Sequence, residues 1–198
     1  MRKKIGLLLI IFLLIGCFIF NRYNSLERRL ILGNINHLFY AKVEQANINK
    51  KTKIINIEFK EYAVKKERYK IIKDIENNCI KTIQKKKSYD GYKVILKVIK
   101  SSCIEYAVTF DENMEAEYLD ITPMSNRDID AFNKIIRNHP NVRVIRIDNY
   151  ISSNSEECCK IDNYNEFENL EKIQFVKKPS DEIIKYLREQ VPQCEIEF

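Results

Sequence analysis

The groups with most chemistry to offer are charged side chains at fixed offsets in three hexapeptides, AEYLDI (116–121), VRVIRI (142–147) and LEKIQF (170–175). Their second places read Glu117, Arg143 and Glu171. Their fifth places read Asp120, Arg146 and Gln174, continued by Glu197 in the terminal CEIEF. If equivalent places are neighbours, opposite charges meet and no like charges do. The third places, Tyr118, Val144, Lys172 and Glu195, are less regular. Carboxylates, guanidiniums, an amide and a phenol in rows suit ion pairing and hydrogen-bonded recognition rather than bond making. Two uses stay open. Tyr118, Asp120, Arg143, Arg146, Lys172 and Gln174 form a surface that binds a partner, or the row is an ion ladder satisfied within itself and facing water.

Groups for catalysis are sparse. Four glycines leave little material for a phosphate-cradling loop, and no serine sits in a G-x-S-x-G elbow. His37 lies beside an apolar helix face, and His139 closes a helix, where the dipole favours an imidazolium. Both read as structural. The acidic stretch Glu156 to Glu171 lacks the ligand spacing of a calcium loop. Among six cysteines there is no CxxC pair and no Cys/His spacing suited to zinc. Apart from Cys17, the five that remain (Cys79, Cys103, Cys158, Cys159 and Cys194) cannot all pair. They read as small buried apolar residues. A bridge between Cys79 and Cys103 is the pairing to check. The sequence therefore implies no cofactor and no metal, although carboxylates that meet only in three dimensions, as in glycosidases, leave no mark on spacing.

What must position the charged rows is a set of strands side by side. The hexapeptides share apolar residues at their first, fourth and sixth places, and the fourth place recurs at Leu119, Ile145, Ile173 and Ile196. Between the first two strands, Ile129, Phe132, Ile135 and Ile136 mark a helix ended by Asn138-His139-Pro140. Between the last two, Ser180 caps a helix carrying Ile183, Ile184 and Leu187, ended before Pro192. The connector 149–168 is polar and irregular. Residues 116–198 thus resemble leucine-rich repeats, whose period and L-x-x-L-x-L core they match. The resemblance implies parallel strands in register, about 4.8 Å apart, with a sheet face of the kind repeat proteins use for binding. The chain departs from that pattern at the ninth place. Met124, Tyr150 and Lys178 stand where an Asn or Cys would satisfy the turn.

Upstream, apolar residues at Leu26, Leu30, Ile31, Ile35, Leu38, Phe39 and Val43 predict an amphipathic stalk helix from Ser25 to about Asn47. Ile55, Ile57 and Phe59 alternate in a strand over 52–60. Residues 64–86 form a basic helix with Ile72, Ile75, Cys79, Ile80 and Ile83 facing inward. After a turn at SYDGY (88–92), Tyr92–Lys100 and Ile104–Asp111 read as a hairpin, with Ile104, Tyr106, Val108 and Phe110 on one face.

The chain opens with Arg2, Lys3 and Lys4, then sixteen residues, Ile5 to Phe20, without a charge. As a helix this run is about 24 Å long, short of the ~30 Å hydrocarbon core. Residues 14–17, Leu-Ile-Gly-Cys, resemble the lipobox of bacterial lipoproteins, which implies acylation at Cys17. Phe18, Ile19 and Phe20 extend the apolar run, as an uncleaved single-pass anchor would. Both readings of Cys17 stay open, and both place residues 21–198 outside the cytoplasm. Charge is divided along the chain. Residues 21–100 hold 20 Lys/Arg and 8 Asp/Glu, whereas residues 101–198 hold 11 and 20. The basic half suits anionic lipid heads or wall polymers. Nucleic acid, the usual partner of a run such as Lys85-Lys86-Lys87, is not expected of an exported chain.

The expected architecture is α+β. It comprises a basic tail (1–4), an anchor or lipoprotein signal (5–20), an amphipathic stalk (21–50), a basic β-α-β-β module (51–115) and an acidic strand–helix array with a parallel sheet (116–198). The expected function is a non-enzymatic binding module at a bacterial cell membrane, its partner a surface protein or an anionic envelope polymer. An accessory subunit of a membrane complex, or an envelope hydrolase using carboxylates, are the other two classes.

Overall fold

The structure, a computed structural model, describes residues 26–33, 41–61, 68–100, 104–123, 136–149, 160 and 164–198. The anchor over 5–20, with Cys17, lies outside them, as do Cys103, Cys158, Cys159 and most of the helix expected over 129–136. No helix among the described residues is long and apolar enough to cross a membrane.

The described chain is α+β, with eight strands and three helices. The helices are α1 (Leu26–Gly33), α2 (Arg68–Gln84) and α3 (Asp181–Gln190). The strands are β1 (Ala41–Asn49), β2 (Ile54–Glu61), β3 (Lys93–Lys100), β4 (Ile104–Phe110), β5 (Ala116–Pro123), β6 (Val144–Ile147), β7 (Lys172–Phe175) and β8 (Glu195–Glu197). They form one mixed sheet in sequence order, β1 to β8. The β1–β2, β3–β4 and β4–β5 pairs are antiparallel, and β2–β3 and every pair from β5 to β8 are parallel. The sheet crosses the boundary between residues 115 and 116 without a break.

Alternation builds one buried face. Ile55, Ile57 and Phe59 pair with Val94, Leu96 and Val98, and these last three with Phe110, Val108 and Tyr106. The buried row then passes through Leu119, Ile145 and Ile173 to Ile196. Leu26 and Leu30 of α1, Ile75, Cys79 and Ile83 of α2, and Ile183 and Leu187 of α3 join this row in a single core. Each fully buried side chain of this size contributes about 1.5–3 kcal/mol. The described helices share one face of the sheet, so the described residues form two layers, and the opposite face is left without a helix among them.

The stalk helix is a correction. Helix α1 ends at Gly33, and residues 41–49, expected in part to continue it, form β1. Of the apolar residues that predicted the helix, Val43 alone lies in β1, where it pairs with Phe59 ahead of a bulge between Val43 and Gln45, so the helical spacing said little about this stretch. Ser180 does occupy the N-cap of α3 with extended backbone and accepts the Ile184 N–H through its carbonyl (3.1 Å), but its side chain makes no capping bond. At the β3 entry, Gly91 takes φ +73°, a left-handed turn that glycine adopts without strain.

Candidate functional site

The fifth places of the array lie side by side. Asp120 pairs in register with Arg146, Arg146 with Gln174, and Gln174 with Glu197. The third places align likewise through Tyr118, Val144, Lys172 and Glu195. Strands β6 and β7 alternate half-buried and buried residues, so these two rows stand on the open face. Arg146 Nη1 donates to both oxygens of Asp120 at 2.9 Å. Lys172 Nζ lies 2.9 Å from Glu195 and 3.3 Å from Glu197, and Gln174 Nε2 donates to Glu197 at 2.7 Å.

Electrostatics follow from these contacts. The hydrogen bond from Gln174, then that from Lys172, holds Glu197 below the usual carboxylate range. Hydrogen bonds to Glu195 and Glu197 raise Lys172. Burial pushes the Tyr118 phenol up, the charge of Asp120 adds to this, and Arg146 opposes it. Two sets of donors on this face make no bond within the described protein. They are the Tyr118 hydroxyl and the Nε and Nη2 groups of Arg146, whose contacts all go through Nη1.

Arg143 is not on that face. It stands one residue before β6, at the rim where the strands begin, and forks onto Glu171 through Nε (2.9 Å) and Nη2 (2.8 Å). Lys93 Nζ meets Glu117 at 2.8 Å on the same rim. The second places therefore form their own ladder, separate from the open face. Of the six residues the sequence singles out, five share the open face and Arg143 does not.

A second polar cluster lies on the helix side. Glu76 of α2 and His139 are 4% and 6% exposed. The Tyr106 hydroxyl donates to Glu76 Oε1 at 2.6 Å, and His139 Nε2 lies 3.4 Å from Glu76 Oε2. The Phe110 ring meets the imidazole edge-on, with centroids 6.3 Å apart. In the sequence His139 stands at a helix end, and Glu76 has no motif around it. The available signal was Glu76 on the apolar stripe of α2, three and seven residues before Cys79 and Ile83. A carboxylate in that place must find partners inside the protein.

Among the described residues no group of three or more His, Cys, Asp or Glu side chains could hold a metal ion. Cys79 and Cys194 are buried thiols, and burial pushes Cys194 up to about 11, out of the range of a reactive thiolate. No protein-family model, curated protein or solved structure matches the chain.

Proposed function

We propose that this chain is a membrane-anchored, extracytoplasmic binding module of a bacterial envelope, non-enzymatic, holding its partner on the open face of the sheet. Residues 5–20 supply the anchor, with Cys17 either acylated or embedded in an uncleaved helix. Strands β5–β8 with their connectors are, in this reading, a short leucine-rich-repeat-like array. Support comes from their common parallel register and from Asn149. Its Nδ2 donates to Lys177 O at 2.7 Å, and its Oδ1 accepts the Lys177 N–H at 2.9 Å. That residue satisfies the turn one place before the position the repeat pattern reserves for it.

The observation carrying the reading is Tyr118 beside the Asp120–Arg146 pair. Asp120 fixes one guanidinium nitrogen, and the phenol and two further guanidinium groups keep donors for an incoming acceptor. A carboxylate or phosphate of a surface protein or anionic polymer has the right chemistry, because guanidinium forks bind such groups in two-point fashion. The basic half of the chain adds attraction for the same partners.

The test is cross-linking on intact cells with the full-length protein, followed by mass spectrometry. Capture through residues 117–174, abolished by substituting Asp120 and Arg146 together with alanine, is the expected result. Capture unaffected by that double substitution excludes the open face as the binding surface. The mass of the N-terminal peptide separates the two anchors, showing acyl chains on Cys17 or an intact residue 1.

A further inference from the structure

The polar groups of the open face are largely paired among themselves, but those around Glu76 and His139 are not. These two residues line a cleft of about 230 Å³ between α2, the β4–β5 turn and the loop before β6. Asn77, Asn138 and Asn141 stand around it, and none of their amides makes a hydrogen bond within the described protein. Lys73, at the same cleft, has no ion pair there either. Phe110, Met114 and Pro140 supply an apolar wall.

His139 gives the cleft its direction. With its hydrogen on Nε2, which faces the Glu76 carboxylate 3.4 Å away, the ring leaves Nδ1 as an acceptor. Nδ1 has no partner in the described protein, although the residue is almost wholly buried. A buried acceptor of this kind is normally met by a ligand or an ordered water. Tyr106 donates to the other oxygen of Glu76, so the carboxylate that orients the imidazole is itself held in place.

We propose that this cleft binds a single sugar unit of a glycan. Each amide offers a donor and an acceptor, a combination that matches vicinal hydroxyls, which are donors and acceptors at once. Nδ1 accepts a hydrogen bond from one hydroxyl, and the Phe110–Met114–Pro140 wall takes the C–H face of a pyranose ring. The Lys73 ammonium at the rim would suit a bare phosphate or carboxylate, but the carboxylates of Glu76 and Glu115 in the same lining oppose an anion. The site is independent of the open sheet face, and its test leaves that reading untouched.

The full chain carries two histidines, so a His37→Gln background leaves the imidazole spectrum of His139 alone. Nitrogen-15 NMR of that protein in detergent should show the Nε2–H form. Millimolar glucose, galactose or N-acetylglucosamine should then move the Nδ1 resonance. Asn77→Ala and Asn141→Ala, both at exposed positions, should fold normally and each weaken the sugar about tenfold, the value of one lost hydrogen bond of ordinary strength. An Nδ1–H form overturns the proposal. So does silence towards all three sugars, a response to inorganic phosphate alone, or sugar binding unchanged in both asparagine variants.

Discussion

A buried carboxylate is costly unless its lone pairs are met, and Glu76 meets them with one hydroxyl and one imidazole. Removing the hydroxyl isolates that dependence. Tyr106→Phe keeps the ring packed in the sheet row with Ile121 and Val98 while leaving Glu76 Oε1 without its donor. The loss should be about 1–3 kcal/mol in urea unfolding, since a stranded acceptor costs more than an average bond contributes. Full stability in this variant would mean that solvent already reaches Glu76. The cluster was invisible to spacing because its three members come from a helix, a strand and a loop, and only packing brings them together. Tyr118, Asp120, Arg146, Lys172 and Gln174 were legible because equal offsets in parallel strands put equal places side by side. Arg143 escaped that logic. It precedes its strand, where alternation has not begun.

The terminal strand shows how an element this short is kept. Strand β8 has three residues and pairs only with β7, so backbone bonds alone hold an edge that frays readily. Its side chains supply the rest. Ile196 packs against the core, and Glu195 and Glu197 reach back to Lys172 and Gln174. Glu197 titrates below its ordinary 4.5 in the folded protein. Its contribution is therefore complete above 4.5 and disappears as pH falls through the lower folded value. Lys172 is raised above 10.5, so its share is complete below that pH and is lost on titration above it. Amide-exchange protection at Glu195–Glu197 should fall in acid below the ordinary carboxylate value, and at neutral pH in high salt, which screens such exposed pairs. Protection indifferent to both would show that Ile196 alone retains the strand. Strand β1 teaches the opposite lesson about legibility. A single apolar residue, Val43, joined it to the helical pattern, and one added position cannot tell a strand from a helix.

Because the eight strands lie in sequence order, a property divided along the chain is also divided across the sheet. The half rich in Lys and Arg, residues 21–100, supplies β1–β3 and α2, and the acidic half supplies β4–β8. A plain charge count thus becomes a spatial gradient, which no composition figure could reveal without the strand order. The two ends also differ in how their cations are engaged. Lys172 is tied to Glu195 and Glu197, and Lys160 to Glu182. Lys81, Lys85 and Lys87 have no ion pair among the described residues. A polyanion should therefore approach from the β1–β3 end, drawn by a field that falls off over ~8 Å at physiological salt. With polyglutamate as the probe, mass-spectrometric acetylation footprinting should show protection of Lys81, Lys85 and Lys87 at low salt. Lys172 and Lys160 should react as before. Raising the salt should remove the protection, since no buried contact is involved. Equal protection of lysines at both ends would show that the acidic half does not repel the polymer. The gradient would then be too weak at the surface to orient the molecule against a polyanion.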